Sequence, residues 1–375
     1  MRTEYHQPDF NVEPFQNAPD ATLLEVERNG IMPDGLYLTT NHPTYLKHDG
    51  AWKLAKDQMM DACIVLENGG EFYVREYWLI QEGSRIVGGS REDGAEGIFV
   101  HDDGFQQATH RRGAGFPCKH GFSSFEFMSG LVSREYPIPY DAIVDSLLAA
   151  CRDGYVIWVL GPAVTHSRAR KEMAWLIANG FVDVLFGGNA VATHDLEAAI
   201  LGTTLGMDNS GTPVPGGHRH HDDTINSIRS MGSIEEAVAR NVVKDGIMHA
   251  CVKNNVPYVL AGSIRDNGPM PGVITDTFAA QDVMREHTKK ATLVFMVATL
   301  LHSVATGNML PTFYESENEL RPLQVICVDQ DEFNISKLMD RGTHQTLAAV
   351  TNAQDFLRIV AGELKARQES PVAKS

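Results

Sequence analysis

The segment richest in groups that could do chemistry is Gly262-Ser263-Ile264-Arg265-Asp266-Asn267-Gly268-Pro269, which follows a short apolar run. Arg265 could bind a carboxylate through its planar guanidinium group, and Asp266 could hold an amine or accept a proton. The simpler alternative is a surface ion pair between the two side chains in a loop. Arg265 and Asp266 are therefore candidate catalytic residues for a small polar substrate.

Two further candidates, Cys251 and Lys253, lie near the end of a helix predicted in the preceding segment. A lone cysteine is most often a small buried apolar residue, and a lone lysine is usually solvated. The segment by itself therefore favours a structural interpretation of both residues.

Glycines and small polar residues follow several apolar runs. Glycine lets a backbone approach a ligand closely, and the Asn189 amide can both donate and accept hydrogen bonds. Asp329 could accept hydrogen bonds from ribose hydroxyls, or it could cap a helix. The segments are Gly161-Pro162-Ala163-Val164, Gly187-Gly188-Asn189-Ala190 and Cys327-Val328-Asp329-Gln330. Together they predict a nucleotide-binding edge, although the dinucleotide fingerprint G-x-G-x-x-G is missing from them.

The segment 298–311 predicts a short helix that Gly307 stops, with Asn308 and Pro311 in the following turn. His302 and Asn308 could line the same cleft as Asp329. Capping and packing are equally good explanations of both residues.

Histidines are concentrated in Gly216-Gly217-His218-Arg219-His220-His221-Asp222-Asp223. A zinc site requires three or four convergent ligands, and adjacent residues cannot all point at one ion. Asp222 or Asp223 could also cap a helix that runs to Ser230. We favour a pocket for a polar substrate or a phosphate over a metal site, and we predict no bound metal.

From about Tyr155 onward, short runs rich in Val, Ile and Leu alternate with amphipathic helical stretches. Strands that are apolar throughout are buried on both faces, which requires a parallel sheet with helices on each side. We therefore predict an α/β domain with a doubly wound parallel sheet, whose strand ends position the polar segments. The predicted strands are 156–160, 182–186, 256–261, 293–298, 324–328 and 347–350, and the predicted helices are 167–179, 194–200, 234–254, 276–289, 332–341 and 353–366.

The first 150 residues have a different pattern. Short apolar runs at 62–67, 71–80, 84–89 and 97–101 are separated by Gly-rich or Asp-rich turns. This pattern predicts a smaller, strand-rich α+β domain over residues 1–130 that contributes to the substrate site. A nucleotide-binding catalytic domain would follow over residues 131–375.

Composition and charge restrict the partners and the location. The chain has 375 residues, 43% of them apolar, and a formal net charge of −16. Such an acidic protein is not expected to bind nucleic acid or anionic membranes. The sequence has no apolar run of ~18 residues and no signal-like N-terminus, and its five cysteines are widely spaced. We expect a cytoplasmic protein with reduced thiols that acts on a small molecule.

Several of these segments, in this order, resemble the family named after the conserved region of lysine-oxoglutarate reductase/saccharopine dehydrogenase (LOR/SDH), which includes the archaeal-type ornithine cyclodeaminases. The C-terminal part of bifunctional arginine dihydrolase/ornithine cyclodeaminases is also similar. The resemblance extends from about residue 122 to residue 365, and residues 1–120 are expected to differ from the family. It is carried by Phe125-Glu126-Phe127-Met128-Ser129, Gly161-Pro162-Ala163-Val164, Gly188-Asn189-Ala190, Gly217-His218-Arg219-His220-His221, Gly246-Ile247-Met248, Cys251-Val252-Lys253, Gly262-Ser263-Ile264-Arg265-Asp266, Leu301-His302-Ser303 and Gly307-Asn308.

The resemblance implies a deoxyhypusine-synthase-like nucleotide-binding fold, bound NAD and a homo-oligomer. It implies a redox-neutral conversion of ornithine to proline with release of ammonia. It also implies that Cys251 is catalytic and lies near the nicotinamide, with Lys253, Arg265 and Asp266 at the same reacting centre. The residues that it places against NAD are Gly161, Pro162, Ala163, Gly188, Asn189, Ala190, Gly262, Ser263, Ile264, His302, Gly307, Asn308 and Asp329.

Three alternatives to an ornithine cyclodeaminase stay open at this point. The same fold and cofactor could act on another amino acid or amine-bearing substrate, or the enzyme could be a dehydrogenase that releases NADH. The chain could also be an NAD-binding regulator without turnover. The sequence does not separate NAD from NADP.

Overall fold

A computed structural model describes residues 4–67, 69–105, 138–266, 268–340 and 345–369. The chain divides into two compact units. The predicted domain boundary between residues 130 and 131 falls outside the described residues and stays a prediction. The first unit contains the described residues of Met1–His110, Gly307–Gln324 and Arg341–Gln345, and the second contains those of Arg111–Thr306, Val325–Asp340 and Thr346–Ser375.

Strands dominate the described part of the chain before residue 140, and helices alternate with strands after it. The elements are, in chain order, β1 (Thr22–Glu25), β2 (Thr44–His48), β3 (Ala51–Leu54), β4 (Cys63–Leu66), β5 (Phe72–Arg75), β6 (Arg85–Gly88), β7 (Ile98–Val100), α1 (Tyr140–Asp153), β8 (Val156–Leu160), α2 (Ala163–His166), α3 (Arg170–Ala178), β9 (Val184–Gly188), α4 (Asn189–Leu201), α5 (His220–Met231), α6 (Ile234–Ala239), α7 (Ile247–Lys253), β10 (Tyr258–Ala261), β11 (Val273–Ile274), α8 (Thr277–Thr288), β12 (Leu293–Val297), α9 (Leu301–Met309), β13 (Phe313–Ser316), β14 (Glu319–Pro322), β15 (Gln324–Asp329), α10 (Glu332–Asp340), β16 (Gln345–Val350) and α11 (Ala353–Glu369).

Two antiparallel sheets make up most of the first unit, with the strand orders β1-β6-β4-β5 and β3-β2-β7. Ile64 and Phe72 are fully buried in its core, so a strand-rich N-terminal part is confirmed. The strand predicted over 71–80 is shorter, because β5 ends at Arg75 and Tyr77–Leu79 forms a 3-10 helix. The hairpin of β13 and β14 also belongs to this unit, which the sequence pattern did not indicate.

The second unit contains a seven-stranded sheet with the order β11-β10-β9-β8-β12-β15-β16. The four pairings from β11 to β12 are parallel, and Trp158 of β8 pairs with Leu185 of β9 and Phe295 of β12. Strands β8, β9 and β12 are buried along their entire length, as their continuous apolar runs predict. The strand order reverses between β8 and β12, so their carboxyl ends form a topological switch point.

Helices cover both faces of this sheet, which confirms the doubly wound fold. On one face Trp158 stacks on Phe295 with 4.0 Å between ring centroids, and Phe356 of α11 packs against Phe295. On the opposite face Phe186 of β9 contacts His287 of α8. Among the helices of the described residues, none has the length and apolar character needed to cross a membrane.

The single helix predicted over residues 234–254 is wrong, because the chain forms two helices there, α6 and α7. Asn241 and Gly246 between them have φ angles of 56° and 104°, and such left-handed conformations interrupt a helix. A Cβ atom at Gly246 would lie 2.1 Å from Nη2 of Arg170 and 2.6 Å from Oδ1 of Asp195. Only glycine fits where the chain passes these two side chains.

Asp195 of α4 is fully buried and joins three helices. Its carboxylate accepts hydrogen bonds from the N–H groups of Ile247 and Met248, at 2.9 and 2.8 Å, where α7 begins. It also forms an ion pair with Arg170 of α3, whose guanidinium group contacts Asp245 as well. Burial raises the pKa of the Asp195 carboxyl, and Arg170 and the two N–H groups oppose that shift.

We expect Asp195→Asn to lower the free energy of unfolding by about 3–5 kcal/mol, because Arg170 then loses its buried carboxylate partner. Urea-induced unfolding followed by circular dichroism measures the change. The matched control is Glu236→Gln, which removes an exposed ion pair with Arg240 on one face of a helix and should cost ~0.5 kcal/mol or less. Equal losses in the two variants would contradict this role of Asp195.

Candidate active site

The candidate site lies at the carboxyl ends of β8, β9, β10 and β12, beside the switch point. Backbone hydrogen bonds continue past the strand ends: the Gly161 N–H donates to the Val297 carbonyl and the Ala298 N–H to the Val328 carbonyl, each at 2.9 Å. A Cβ atom at Gly161 would lie 1.8 Å from the Ala298 carbonyl oxygen. Gly161 is therefore required for the close approach of the two strand ends.

Helix α4 begins where β9 ends. Its first residue, Asn189, is 3% exposed, and Asn189 Oδ1 accepts a hydrogen bond from the Met270 N–H at 3.2 Å. Because the preceding residue is Gly188, no side chain caps the helix. Uncapped N–H groups at a helix N-terminus attract anions, since they add hydrogen bonds to the positive end of the helix dipole.

Three histidines from three helices form a histidine cluster, defined as His166 of α2, His194 of α4 and His221 of α5. The ring centroids of His166 and His194 are 4.5 Å apart, and those of His194 and His221 are 5.0 Å apart. The middle residue, His194, is 5% exposed. Tertiary packing therefore assembles the cluster from separate parts of the sequence.

Glu197 of α4 is fully buried and holds the cluster in place. Its carboxylate accepts hydrogen bonds from Nδ1 of His194 at 3.0 Å and from Oγ1 of Thr203 at 2.9 Å. The N–H groups of Leu205 and Gly206 donate to it at 3.1 and 2.9 Å. Burial raises the pKa of Glu197, but the hydrogen bonds from His194, Gly206 and Thr203 outweigh it and lower the pKa. Glu197 is therefore ionised at neutral pH.

Burial also sets the charge of the neighbouring histidines. It lowers the pKa of His166 to about 4, with the adjacent His194 as the second cause. Burial likewise lowers the pKa of His221 and of His302. His166, His221 and His302 are therefore neutral at pH 7 and can accept protons or hydrogen bonds.

Buried polar atoms without a protein partner surround the switch point. Oγ1 of Thr165, Nδ1 of His166 and Oγ of Ser303 are all buried, and none has a hydrogen-bond partner among the described residues. Thr165 and His166 follow β8, and Ser303 follows β12. Because leaving such atoms unpaired costs free energy, each is a natural contact for a polar ligand.

Asp266, in the loop after β10, lies close to the cluster. Its charge opposes the lowering of the pKa of both His221 and His302, and its Oδ2 accepts a hydrogen bond from the Ser263 N–H at 2.8 Å. Nε2 of His302 lies over the end of β9, where a Cβ atom at Gly188 would be 2.8 Å away from it. The carboxyl edge of the sheet, where strands β8, β9, β10 and β12 end, therefore combines the half-buried carboxylate of Asp266 with several neutral imidazoles.

The four predicted catalytic residues are not brought together. Arg265 and Asp266 follow the carboxyl end of β10, whereas α7, which carries Cys251 and Lys253, ends before that strand begins. A four-residue strand separates its ends by roughly 13 Å. Cys251 is fully buried in the apolar core, and burial raises the pKa of its thiol. Lys253 is exposed.

The loop after β10 leaves Arg265 available to a ligand. The side chain is exposed, and its guanidinium group has no carboxylate partner among the described residues. The surface ion pair between Arg265 and Asp266 that the sequence allowed is therefore not formed. Ile264 beside it is also fully exposed.

Most residues predicted to bind the cofactor lie at the carboxyl edge, but Gly307 and Asn308 are placed differently. Helix α9 continues to Met309, so the predicted stop at Gly307 is wrong. Both residues belong to the first unit, where the Asn308 carbonyl accepts a hydrogen bond from the Met60 N–H. The residues that end a strand of the second unit or follow its carboxyl end are Gly161, Pro162, Ala163, Gly188, Asn189, Ala190, Gly262, Ser263, Ile264, His302 and Asp329.

Asp329 is the last residue of β15 and does not cap the next helix. Its Oδ1 accepts a hydrogen bond from the Asp331 N–H at 2.9 Å, and Asp331 in turn accepts one from the Phe333 N–H near the start of α10. Asp331 is therefore the residue that caps α10, and a contact with the cofactor remains the predicted role of Asp329.

The histidine-rich segment does not converge on one point. His218 is exposed, Nδ1 of His220 donates to Oγ1 of Thr203 at 2.7 Å, and His221 packs on His194. Over the described ranges, the only three metal-ligand side chains whose ligand atoms lie within 4.8 Å of one another are Asp20, His48 and Asp49 in the first unit.

His166, His194 and Glu197 were missed in the sequence. The signal available for two of them was the composition of α4, in which His194, Asp195 and Glu197 interrupt an otherwise apolar stretch. Ionisable residues in a helix that must be buried require buried partners. His166 carried no comparable signal, because it follows a strand and a Gly-Pro turn in a short segment of mixed polarity.

The comparisons with known proteins agree with this architecture. A family model described as arginine dihydrolase ArgZ-like, C-terminal, Rossmann fold matches residues 142–360. An ornithine cyclodeaminase from Methanopyrus kandleri is 46% identical over 349 residues, which cover 92% of this chain and 79% of that protein. One from Archaeoglobus fulgidus is 41% identical with the same coverage. The chain belongs to the ornithine cyclodeaminase family.

Solved structures of related proteins give the same result. A conserved LOR/SDH protein from Methanococcus maripaludis is 36% identical with a TM-score of 0.81, covering 93% of this chain and 99% of that one. A ternary complex of AgrE with ornithine and NAD+ is 31% identical with a TM-score of 0.57, and the chain spans 48% of its length. A Rossmann-type fold is therefore confirmed for this ornithine cyclodeaminase family member.

The family alignments correct one expectation. Residues 1–120 were expected to differ from the family, but the Methanopyrus kandleri ornithine cyclodeaminase aligns with 92% of the chain. The remaining 8% is far shorter than 120 residues, so most of the N-terminal region also matches the family. A strand-rich region with short runs and variable turns offers few local motifs, which is why the sequence pattern did not reveal it.

The low pKa of His166 makes stability depend on pH. Between its folded value of about 4 and its ordinary value of 6.5, the unfolded chain binds a proton that the folded chain does not. The stability is therefore complete above pH 6.5 and falls as pH drops toward 4. We expect His166→Gln to lose less free energy of unfolding than the wild type between pH 7 and pH 5, as measured by urea titrations. The exposed His218, changed to Gln, is the control and should keep the full wild-type loss.

Proposed function

We propose that the chain is an NAD-dependent ornithine cyclodeaminase, which converts ornithine to proline and ammonia without net oxidation. The observation that carries this proposal is the group of ionisable side chains at the switch point, which consists of the histidine cluster, the buried Glu197 and the half-buried Asp266. The pKa values of His166, His221 and Glu197 are shifted from their ordinary values, and such groups commonly serve proton transfer. The relatives named ornithine cyclodeaminase and the AgrE complex with ornithine and NAD+ support the same reaction.

The residues at the switch point fit a dinucleotide. Open parallel sheets bind ligands in the crevice outside the carboxyl ends of their strands, and the uncapped N-terminus of α4 would hold a pyrophosphate. Oγ1 of Thr165 and Oγ of Ser303, both buried without a partner among the described residues, would bond to hydroxyl or amide groups of the cofactor. Asp329 would accept hydrogen bonds from a ribose. Bound NAD would supply the oxidising and reducing capacity of the reaction.

The loop after β10 carries groups of the kind that ornithine requires. Ornithine has one carboxylate and two amines, and Arg265 could bind the carboxylate through two parallel hydrogen bonds. Asp266 would hold one of the amines, since a carboxylate accepts hydrogen bonds from an ammonium group. Both side chains belong to one short loop, so a single substrate of this length could contact both.

We propose a structural role for Cys251 and a solvated surface position for Lys253, in place of the catalytic roles that the family resemblance implied. A thiol acts as a nucleophile only when it is deprotonated. Burial raises the pKa of Cys251, which opposes formation of the thiolate. Apolar side chains pack around it, and the charge of the nearby Asp195 raises the pKa of the thiol further instead of activating it.

We further propose that the catalytic chemistry belongs to residues 131–375 and that the protein works as a cytoplasmic homo-oligomer. The described cysteines Cys63, Cys151, Cys251 and Cys327 are unpaired, which suits a reducing compartment. Light scattering coupled to size-exclusion chromatography measures the oligomeric state directly.

Purified protein freed of cofactor should convert ornithine only after NAD+ is added, and it should form proline and ammonia in equal amounts. Because the reaction has no net oxidation, absorbance at the NADH wavelength should not accumulate in the steady state. Chromatography of the amino acids and an ammonia assay measure the products. Accumulation of NADH would indicate a dehydrogenase instead, and tight NAD binding without any turnover of amino acids would indicate a regulator.

Two substitutions test whether the catalytic residues lie at the carboxyl edge or in the apolar core. We expect Asp266→Asn to lower kcat/KM for ornithine by ~10²-fold or more, because a neutral amide replaces the carboxylate that faces the amine. Cys251→Ala should keep kcat within a few-fold of the wild type and lose about 1 kcal/mol of unfolding free energy, as core truncations commonly do. A dead Cys251→Ala variant that folds normally would restore Cys251 to the reacting centre.

A further inference from the structure

The hydrogen bonds of Glu197 fix the tautomer of His194. An ionised carboxylate only accepts hydrogen bonds. Glu197 receives them from Thr203, Leu205 and Gly206 as well as from His194. Nδ1 of His194 must therefore carry the hydrogen, and Nε2 of the neutral ring is left as a base.

The surroundings of His194 suit a residue that transfers protons. The groups that face it are His166 from α2, Glu197 from its own helix and His221 from α5. Beyond His221 lies Asp266, whose charge acts on that histidine. His194 is 5% exposed, so its ring exchanges protons with its neighbours and with a bound ligand more readily than with bulk water.

We propose that His194 is the acid–base residue of ornithine cyclodeamination and that Glu197 is the positioning residue that orients its ring. This inference rests on the proposed function. His166 and His221 both contact the ring, and His221 would connect it to the loop after β10 that is proposed to hold the substrate.

The proposed step balances in atoms and charge. Ornithine at neutral pH carries two ammonium groups, and the δ-nitrogen can close the ring only after it has lost a proton. His194 Nε2 would take that proton, and the freed lone pair on the δ-nitrogen would form the new bond to the α-carbon, which would be kept at the imine oxidation level by bound NAD until the ring has closed. The bond between the α-carbon and its original nitrogen breaks, and His194 would return the proton to the departing nitrogen. The sum is ornithine cation to neutral proline plus ammonium.

The test begins with His194→Gln. We expect kcat to fall by ~10²–10⁴-fold, the usual contribution of a general acid–base group. KM for ornithine, the affinity for NAD+ measured by calorimetry and the unfolding midpoint should change little. His287→Gln is the matched control, because His287 is a half-buried histidine that bonds to Tyr155 just before β8, away from the carboxyl edge. It should retain turnover.

Glu197→Gln tests the positioning role. The measurement is the pH profile of kcat, which a change in packing alone would not shift. With a neutral amide beside it, the His194 ring loses its fixed tautomer, so the acidic limb of the pH profile of kcat should shift. Neutron diffraction of wild-type crystals gives a second readout that needs neither turnover nor a variant. Deuterium on Nδ1 of His194, directed at the Glu197 carboxylate, is the expected result.

The outcomes separate the two proposals. If the wild type makes proline while His194→Gln folds and keeps its kcat, His194 is not the acid–base residue and the proposed function stands. Deuterium on Nε2 alone would overturn the assignment even if His194→Gln did not fold. If the wild type binds NAD+ but releases no ammonia from ornithine, the proposed function itself is wrong, and the role of His194 in it is wrong as well.

Discussion

Helix α4 carries two carboxylates, Asp195 and Glu197, that have no contact with solvent, and an ionised group in such a place must have its lone pairs satisfied by the protein. The two residues are two positions apart, so at ~100° per residue they face opposite sides of the helix. Asp195 accepts hydrogen bonds from the start of α7 and forms an ion pair with Arg170 of α3. Glu197 accepts hydrogen bonds from His194 and from the loop that leads to the histidine-rich segment. Much of the arrangement around the site follows from satisfying these two groups.

This constraint explains the glycines in two of the segments that carry the family resemblance. Gly246 leaves room for the Arg170–Asp195 pair, and the two residues after it provide N–H groups to Asp195. Gly217 packs against Gly206 so closely that a Cβ atom on either would lie 2.3 Å from the backbone of the other. That contact holds the loop in which Gly206 donates to Glu197. These glycines allow the close backbone contacts that hold the hydrogen-bond partners of Asp195 and Glu197 in place.

The predicted fold was largely correct because its signal is local. A run such as Val156–Leu160 is apolar at every position, and only a strand covered on both faces accommodates it. The same reasoning located the strand ends and therefore most candidate ligand contacts. It failed where a distant side chain decides the local conformation, as at Gly246, where the Arg170–Asp195 pair interrupts a helical pattern. It also assigned Gly307 to a helix stop, although α9 continues through that residue.

The sequence by itself determined the fold class and the polar loop after β10, because periodicity and turn residues act over a few neighbouring positions. Only the tertiary structure decided which ionisable groups meet. It buried Cys251 among apolar side chains and placed it at the opposite end of β10 from Asp266. It brought His166, His194 and His221 into contact from three helices. Such contacts depend on how helices pack on a sheet, and no local pattern in the chain encodes them.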